Sequence, residues 1–266
     1  MHVKKILFFG DAVGKPGRKA LRLVLPELRE KYSPDFVIAN VENLAHGKGV
    51  TTQTMSEISN LGIDAYTSGN HIFKKNDTAG VFKEYPTLIR PNNYQGEYPG
   101  VGFVRTVKDG QGYLVINLNG TVFFETQFAT GISNPFFDFD NIVSQHKQPG
   151  DIVVVDFHAE ATSEKKAFGF YADGRAAAVL GTHTHTPTAD LRILPKGTAH
   201  VSDVGMIGAV NSVLGAPIQN SLGIFLGGKF VHDVEESNPI MVNAVYIETE
   251  DGLATKVEKI YKEVEV

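Results

Sequence analysis

The sequence predicts an α/β fold built on a mainly parallel sheet, and three observations carry that reading. Short apolar runs alternate with segments of helical period, the pattern of strand–helix–strand units. Several of the runs are apolar at every position, as strands covered on both faces are. Five of them finish on polar residues, which lines up chemically active side chains along the carboxyl edge of the sheet.

Ile6-Leu7-Phe8-Phe9 reads as the first buried strand and ends at Gly10-Asp11. Leu21, Val24, Leu25, Leu28 and Tyr32 then recur at helical spacing, with Pro16 suited to the first turn and Pro26 placed to kink the helix. Phe36-Val37-Ile38-Ala39 is a second strand, running into Asn40-Val41-Glu42-Asn43. Thr51 or Thr52 is placed to cap a helix that stops at Gly62. Asp64 to Thr67 begins a third strand that ends in Gly69-Asn70-His71. Residues 101–124 read as adjacent strands, with Gly110 and Gly112 marking a turn. Asp151 to Val155 is a strong buried strand ending at Asp156-Phe157-His158, followed by a helix over about 163–171. Ala176 to Leu180 leads into Gly181-Thr182-His183-Thr184-His185. The last third, including Met241 to Ile247, is strand-rich and reads as an antiparallel tail to the sheet. With no repeat, low-complexity tract or linker, residues 1–266 are read as a single domain.

Composition narrows the function. A hydrophobic share of 42% suits a full core, and a net charge of −5 offers no basic excess for coating duplex nucleic acid. An acidic protein acting on an anion must neutralise it locally, and metal ions do so. The absence of cysteine removes disulfides, thiolate catalysis and Cys-based zinc sites, and it fits a cytoplasmic protein. The apolar run that follows Lys4 and Lys5 is too short for a secretory signal, and no stretch approaches a membrane span, so no membrane partner is expected.

The chemistry lies at the strand ends. Asp11, Glu42 with Asn43, Asn70 with His71, His158, and His183 with His185 offer carboxylate, amide and imidazole donors to one crevice. Alone, Asp11 reads more readily as a cap or turn residue than as a ligand, and His158 equally as a hydrogen-bonded core histidine. His183 and His185 are two apart, so on a strand they would face the same side. The mixed oxygen and nitrogen set points to two divalent or trivalent ions, iron or manganese first, with zinc also compatible. His46, in the Gly-rich segment 45–49, is weak evidence for a phosphate cradle, because the P-loop spacing is missing. Glu160 and Glu164 read as supporting or helix-start residues, Arg175 as structural, and His2, His146, His200 and His232 as surface or packing residues.

Gly-Asp at 10–11, Asn-Val-Glu-Asn at 40–43, Gly-Asn-His at 69–71, Asp-Phe-His-Ala-Glu-Ala-Thr-Ser-Glu-Lys at 156–165 and Gly-Thr-His-Thr-His at 181–185 together resemble the calcineurin-like metallophosphoesterases. More narrowly they resemble the YmdB-like branch, as do Leu-Ile-Arg-Pro-Asn-Asn at 88–93, Asp-Gly-Arg at 173–175 and Ser-Asp-Val-Gly-Met at 202–206; the likeness is expected to fade after about residue 210. The resemblance implies a four-layer α/β/β/α sandwich and a cytoplasmic 2′,3′-cyclic nucleotide phosphodiesterase. It implies that Asp11 and His185 hold one metal with Asn43 beside it, that Asn70, His158 and His183 hold the other, that Glu42 bridges them, and that His71 donates a proton. Val13 stands where the wider superfamily usually has histidine, and Glu42 where it usually has aspartate; both match the YmdB-like branch. Ile72-Phe73-Lys74 and Val41 differ from that branch's Thr-Trp-Asp and Gly, at the pocket rim, where substrate choice is set.

The expected reaction is direct hydrolysis of a small phosphoester, a cyclic nucleotide for preference, by a metal-bridging hydroxide, with His71 as general acid. The competing readings are a phosphomonoesterase, or a regulatory nucleotide-binding protein that retains its metals. A homo-oligomer is compatible with either.

Overall fold

Residues 3–124, 131–229 and 231–266 are described by the structure, a computed structural model; His2 lies outside them. The strands do not form one sheet with a tail. They divide between two sheets. In the first, β1 (Lys4–Phe9), β2 (Phe36–Asn40) and β3 (Ala65–Thr67) run parallel. β11 (Ile240–Glu250) pairs antiparallel with β1, and both β10 (Gly208–Ala209) and β12 (Leu253–Val264) pair with β11. In the second, β5 (Gln111–Asn119), β6 (Ile152–His158), β7 (Ala178–Thr182) and β9 (Ala199–Val201) run parallel. β4 (Phe103–Lys108) and β8 (Arg192–Ile193) close its edges antiparallel. A run that is apolar on both faces reads the same whether helices or a second sheet cover it, so sequence does not reveal the division.

Strand alternation sorts the side chains into layers. Ile6, Phe8, Phe36 and Ile38 of the first sheet share a core with Tyr113, Val115, Val154 and Leu180 of the second. Their neighbours Leu7, Phe9, Val37 and Ala39 point the other way, onto Leu21, Val24, Leu25 and Leu28 of α1 (Gly14–Tyr32). On the far side Leu114, Val153, Val155 and Phe157 meet Phe139 of α4 (Pro135–His146) and Phe168 of α5 (Thr162–Ala172). The result is the α/β/β/α order that the resemblance implies. The short helices are α2 (Thr52–Ser56), α3 (Thr78–Glu84) and α6 (Ile218–Phe225). No helix among the described residues is long and apolar enough to cross a membrane.

Local expectations fare differently. α1 carries Pro26 within its length. Thr51 caps α2 by accepting from Thr54 N at 3.2 Å, and a further turn, Ser59–Leu61, reaches Gly62 in the left-handed region. Asp109 and Gly110, both at positive φ, make the β4–β5 turn. Gly112 belongs to β5 instead; a Cβ there would lie 1.9 Å from Asp151 Oδ1. α4 and α6 carry no sequence expectation, although Asn134 before Pro135 caps α4 by accepting from Phe136 N at 2.9 Å.

Candidate metal centre

The ligand-type residues sit where strands of both sheets end. Asp11 follows β1, Glu42 and Asn43 follow β2, and Asn70 and His71 follow β3. His158 is the last residue of β6, and His183 comes one after the end of β7. Asp11, Glu42, Asn43, Asn70 and His158 are buried, whereas His71, His183 and His185 are partly open. The site therefore spans the seam between the sheets, not the edge of one. Gly69 makes this approach sterically allowed: a Cβ there would lie 2.2 Å from Glu42 Oε2 and 2.3 Å from His158 Nε2.

The donors fall into two groups. In the inner group, His158 Nε2 lies 3.0 Å from Asn70 Oδ1, 3.2 Å from Glu42 Oε1 and 3.1 Å from His183 Nδ1. In the outer group, His185 Nε2 lies 3.1 Å from Asn43 Nδ2 and 4.0 Å from Asp11 Oδ1. Glu42 Oε1 is also 3.3 Å from Asn43 Nδ2, so this carboxylate touches both groups. Asn43 presents its nitrogen here and its oxygen to His71 Nδ1 at 3.3 Å; a half-turn of the amide exchanges the two. His71 Nδ1 is 3.5 Å from Glu42 Oε1, and His71 N donates to Glu42 Oε2 at 3.1 Å.

His183 and His185 converge by a different route from the one expected of a strand. β7 stops at Thr182, and both histidines lie in the loop beyond it at positive φ, 96° and 63°. The loop turns one imidazole to each group, where a strand would have sent both to one face. Non-glycine residues seldom adopt such angles, and the surroundings must hold them. Lys165, buried, donates to Thr182 O and Asp203 Oδ2, each at 2.7 Å. Asp203 Oδ2 in turn accepts from Thr184 N at 3.0 Å and Thr184 Oγ1 at 2.8 Å.

Hydrogen bonds also fix which ring nitrogens are free for an ion. Thr182 Oγ1 donates to Asp156 Oδ1 at 2.6 Å, so it accepts from His158 Nδ1 at 2.9 Å and leaves the His158 Nε2 lone pair for the inner group. Glu160 Oε2, 2.9 Å from His183 Nε2, does the same for His183 Nδ1. Leu214 O accepts from His185 Nδ1 at 2.9 Å and frees its Nε2. Asp156 further accepts from Asn40 Nδ2 at 2.8 Å and Thr67 Oγ1 at 2.5 Å, bolting the two sheets together beneath the site.

Electrostatics favour a cation. Burial pushes the Asp11 carboxyl up, against the pull of His185 and His158. Burial also opposes charge on Glu42, but His158 and His71 outweigh it and hold Glu42 well below the usual range. Burial works against a charged His158 too; Glu42 and Asp11 overcome it and raise its pKa to about 9, so a cation claiming the Nε2 lone pair would displace a proton from it. His183, desolvated and next to His158, is lowered to about 2 and stays neutral. Asp11 Oδ1 is buried with no hydrogen-bond partner, and single ligand atoms of Glu42, His158 and His183 all lie within 4.8 Å of one another. Lone pairs that converge on one point, together with an unpartnered carboxylate oxygen, fit metal ions.

Sequence reasoning passed over Asp156, Thr182, Lys165, Asp203 and the Leu214 carbonyl. The first three stand inside the motifs that carry the candidate ligands and Asp203 inside the motif at 202–206, and that position was the available signal; a main-chain carbonyl leaves none. Glu164 is a supporting residue, accepting from Thr121 N at 2.8 Å and Val122 N at 3.2 Å. Arg175 pairs with Asp140 at 2.5 Å, away from the site, and His146 packs on Phe103.

The fold and this site define a class, the metallophosphoesterases, which are phosphoric ester hydrolases. A 5′-nucleotidase precursor from Thermus thermophilus shares the fold at 13% identity, with a TM-score of 0.56 over 98% of this chain and 54% of its own. The model of the YmdB-like protein family matches residues 7–260, and the chain belongs to that family. It is 40% identical over 258 residues to a 2′,3′-cyclic-nucleotide 2′-phosphodiesterase of Bacillus subtilis, covering 96% of each. A crystal structure described as a novel phosphatase from Mycoplasma pneumoniae superposes with a TM-score of 0.91 at 35% identity, over 99% of this chain and 94% of its own. The likeness expected to fade near residue 210 thus continues through β11 and into β12, because those strands complete the first sheet.

Proposed function

We propose that the protein is a dinuclear metal-dependent phosphodiesterase that hydrolyses 2′,3′-cyclic nucleotides, with His71 as the general acid. The position of His71 carries the reading. It lies within 3.5 Å of Glu42 and Asn43, beside both donor groups and a member of neither, and it is partly open to solvent. Asn70, His158 and His183 would hold one ion, Asp11 and His185 the other, with Asn43 beside it and Glu42 between them. Bound there, the ions, iron or manganese on this donor set, would activate a water and screen the phosphate charge. In the reaction the water oxygen bonds to phosphorus, the bond from phosphorus to one ribose oxygen breaks, and His71 gives its proton to that departing oxygen. Asn43 hydrogen-bonds an equatorial phosphate oxygen when its amide is not turned to an ion.

His71→Ala tests the role. Metal content should stay near that of the parent while kcat on a 2′,3′-cyclic nucleotide falls about 10²–10⁴-fold, the usual worth of a proton donor. A nitrophenyl phosphodiester, whose leaving group is stable as an anion, should suffer far less. Equal losses on the two substrates at saturating manganese would rule out the acid role.

A further inference from the structure

Beside the outer donor group lies a cavity of about 300 Å³ with a mixed lining. Asn43, His71 and His185 contribute polar groups to it. Much of the remaining lining is apolar, with Val213 and Leu214 on one segment and Ile224 and Phe225 of α6. Phe225 is 84% exposed, an arrangement that leaves a large aromatic face to water at the mouth of a site. The 213–216 turn is closed by paired backbone bonds, Val213 N to Ala216 O at 2.9 Å and the reverse at 3.0 Å. It is therefore a fixed wall, and its Leu214 carbonyl is the group that orients His185.

We propose that this apolar lining forms a nucleobase subsite, in which Phe225 stacks on the base of a nucleotide whose phosphate lies at the donor groups. The inference rests on the phosphodiesterase reading and names what that reading leaves open, the part of the substrate that sets specificity. A phosphate is fully polar and a ribose carries hydroxyls around a small C–H surface, so neither calls for an apolar wall of this extent. A base has apolar faces and polar edges, and the lining of this cavity joins apolar side chains to His232 and Asp233. The subsite reads size and aromaticity before hydrogen bonding, so purines should be favoured over pyrimidines, and either over a substrate with no base.

The test compares adenosine 2′,3′-cyclic phosphate with glycerol 1,2-cyclic phosphate, which keeps the reacting ring and lacks the base. Metal-loaded parent protein should prefer the nucleotide in kcat/KM. Phe225→Ala should lose about tenfold more on the nucleotide than on the glycerol ester, from the worth of a base–aromatic stack. Phe225→Tyr, which keeps a ring, should recover most of the loss. Calorimetry with adenosine 3′-monophosphate and with glycerol phosphate supplies a reading independent of turnover, and the same loss should appear only for the nucleotide. Equal losses on the two esters overturn the subsite, as they would if Phe225 instead seats a second copy of the chain, and so does a parent protein that does not distinguish them. If the parent hydrolyses neither ester, the phosphodiesterase reading falls. The calorimetric difference between the two monophosphates then still decides the subsite.

Discussion

The two sheets supply different chemistry to the site and hold it by different means. The first brings the oxygen donors, Asp11, Glu42, Asn43 and Asn70, together with His71. The second brings the imidazoles His158, His183 and His185. The carboxylates of the first sheet accept bonds from main chain: His71 N reaches Glu42 Oε2 at 3.1 Å, and His183 N reaches Asp11 Oδ2 at 3.3 Å. The imidazoles of the second lean mainly on side chains, Thr182 and Glu160, backed by Asp156, Lys165 and Asp203. A carboxylate binds a metal through either oxygen, so locating it is enough. An imidazole has one usable lone pair, and a partner must decide which nitrogen carries it.

This contrast is open to attack at several points. The largest effect is expected on the oxygen side. Glu42→Ala should deplete both ions, because one carboxylate serves both groups, whereas Asp11→Ala should leave about one ion per chain. Elemental analysis that finds the parent's metal content in Glu42→Ala would remove Glu42 as the link. On the nitrogen side, Thr182→Val deletes only the hydroxyl behind His158 Nδ1. It should weaken metal affinity about 10–100-fold, the usual cost of losing such a partner, as read by competition with a chelator. An unchanged affinity would mean that the ring needs no side-chain support. The smallest effect concerns the polar interior of the second sheet away from the donor groups. His200 is buried against Val179 O, and burial lowers its pKa from 6.5. As pH falls below 6.5 the unfolded chain takes up a proton that the folded one refuses. Stability is therefore full above that value and is lost as pH falls toward the lowered one, by at most about 1.4 kcal/mol per pH unit. Denaturant titrations of the parent and His200→Asn should differ in this slope; identical slopes would remove His200 as the cause.

The gathering of the candidate ligands was legible in the sequence because each follows an apolar run and a strand end is a fixed place in an α/β fold. Asp11, Glu42, Asn70 and His158 lie where that rule puts them. Two things were not legible. The partition into two sheets depends on which runs face each other across Phe8, Phe36 and Tyr113, and periodicity records that a face is covered without recording by what. The path of His183 and His185 depends on two backbone angles that sequence rules assign to glycine or asparagine, and here buried bonds from Lys165 and Asp203 enforce them. α6 escaped notice for a related reason: its apolar residues, Phe225 foremost, face the cavity mouth and solvent, so its pattern is not that of a helix packed on a core.

The seam location has a consequence for how the molecule comes into being. Asp11 and His183, whose groups are in contact, stand 172 positions apart in the chain, and Asn40 and Asp156, which join the sheets beneath them, stand 116 apart. Contacts of such separation form late, after the segments on either side have their own order. During synthesis the candidate oxygen donors emerge first, with His71 beside them but before His158, His183 and His185 of the second sheet. The full donor set is thereby complete only when the second sheet has been made and docked, and a chain stalled before it lacks three of the imidazoles.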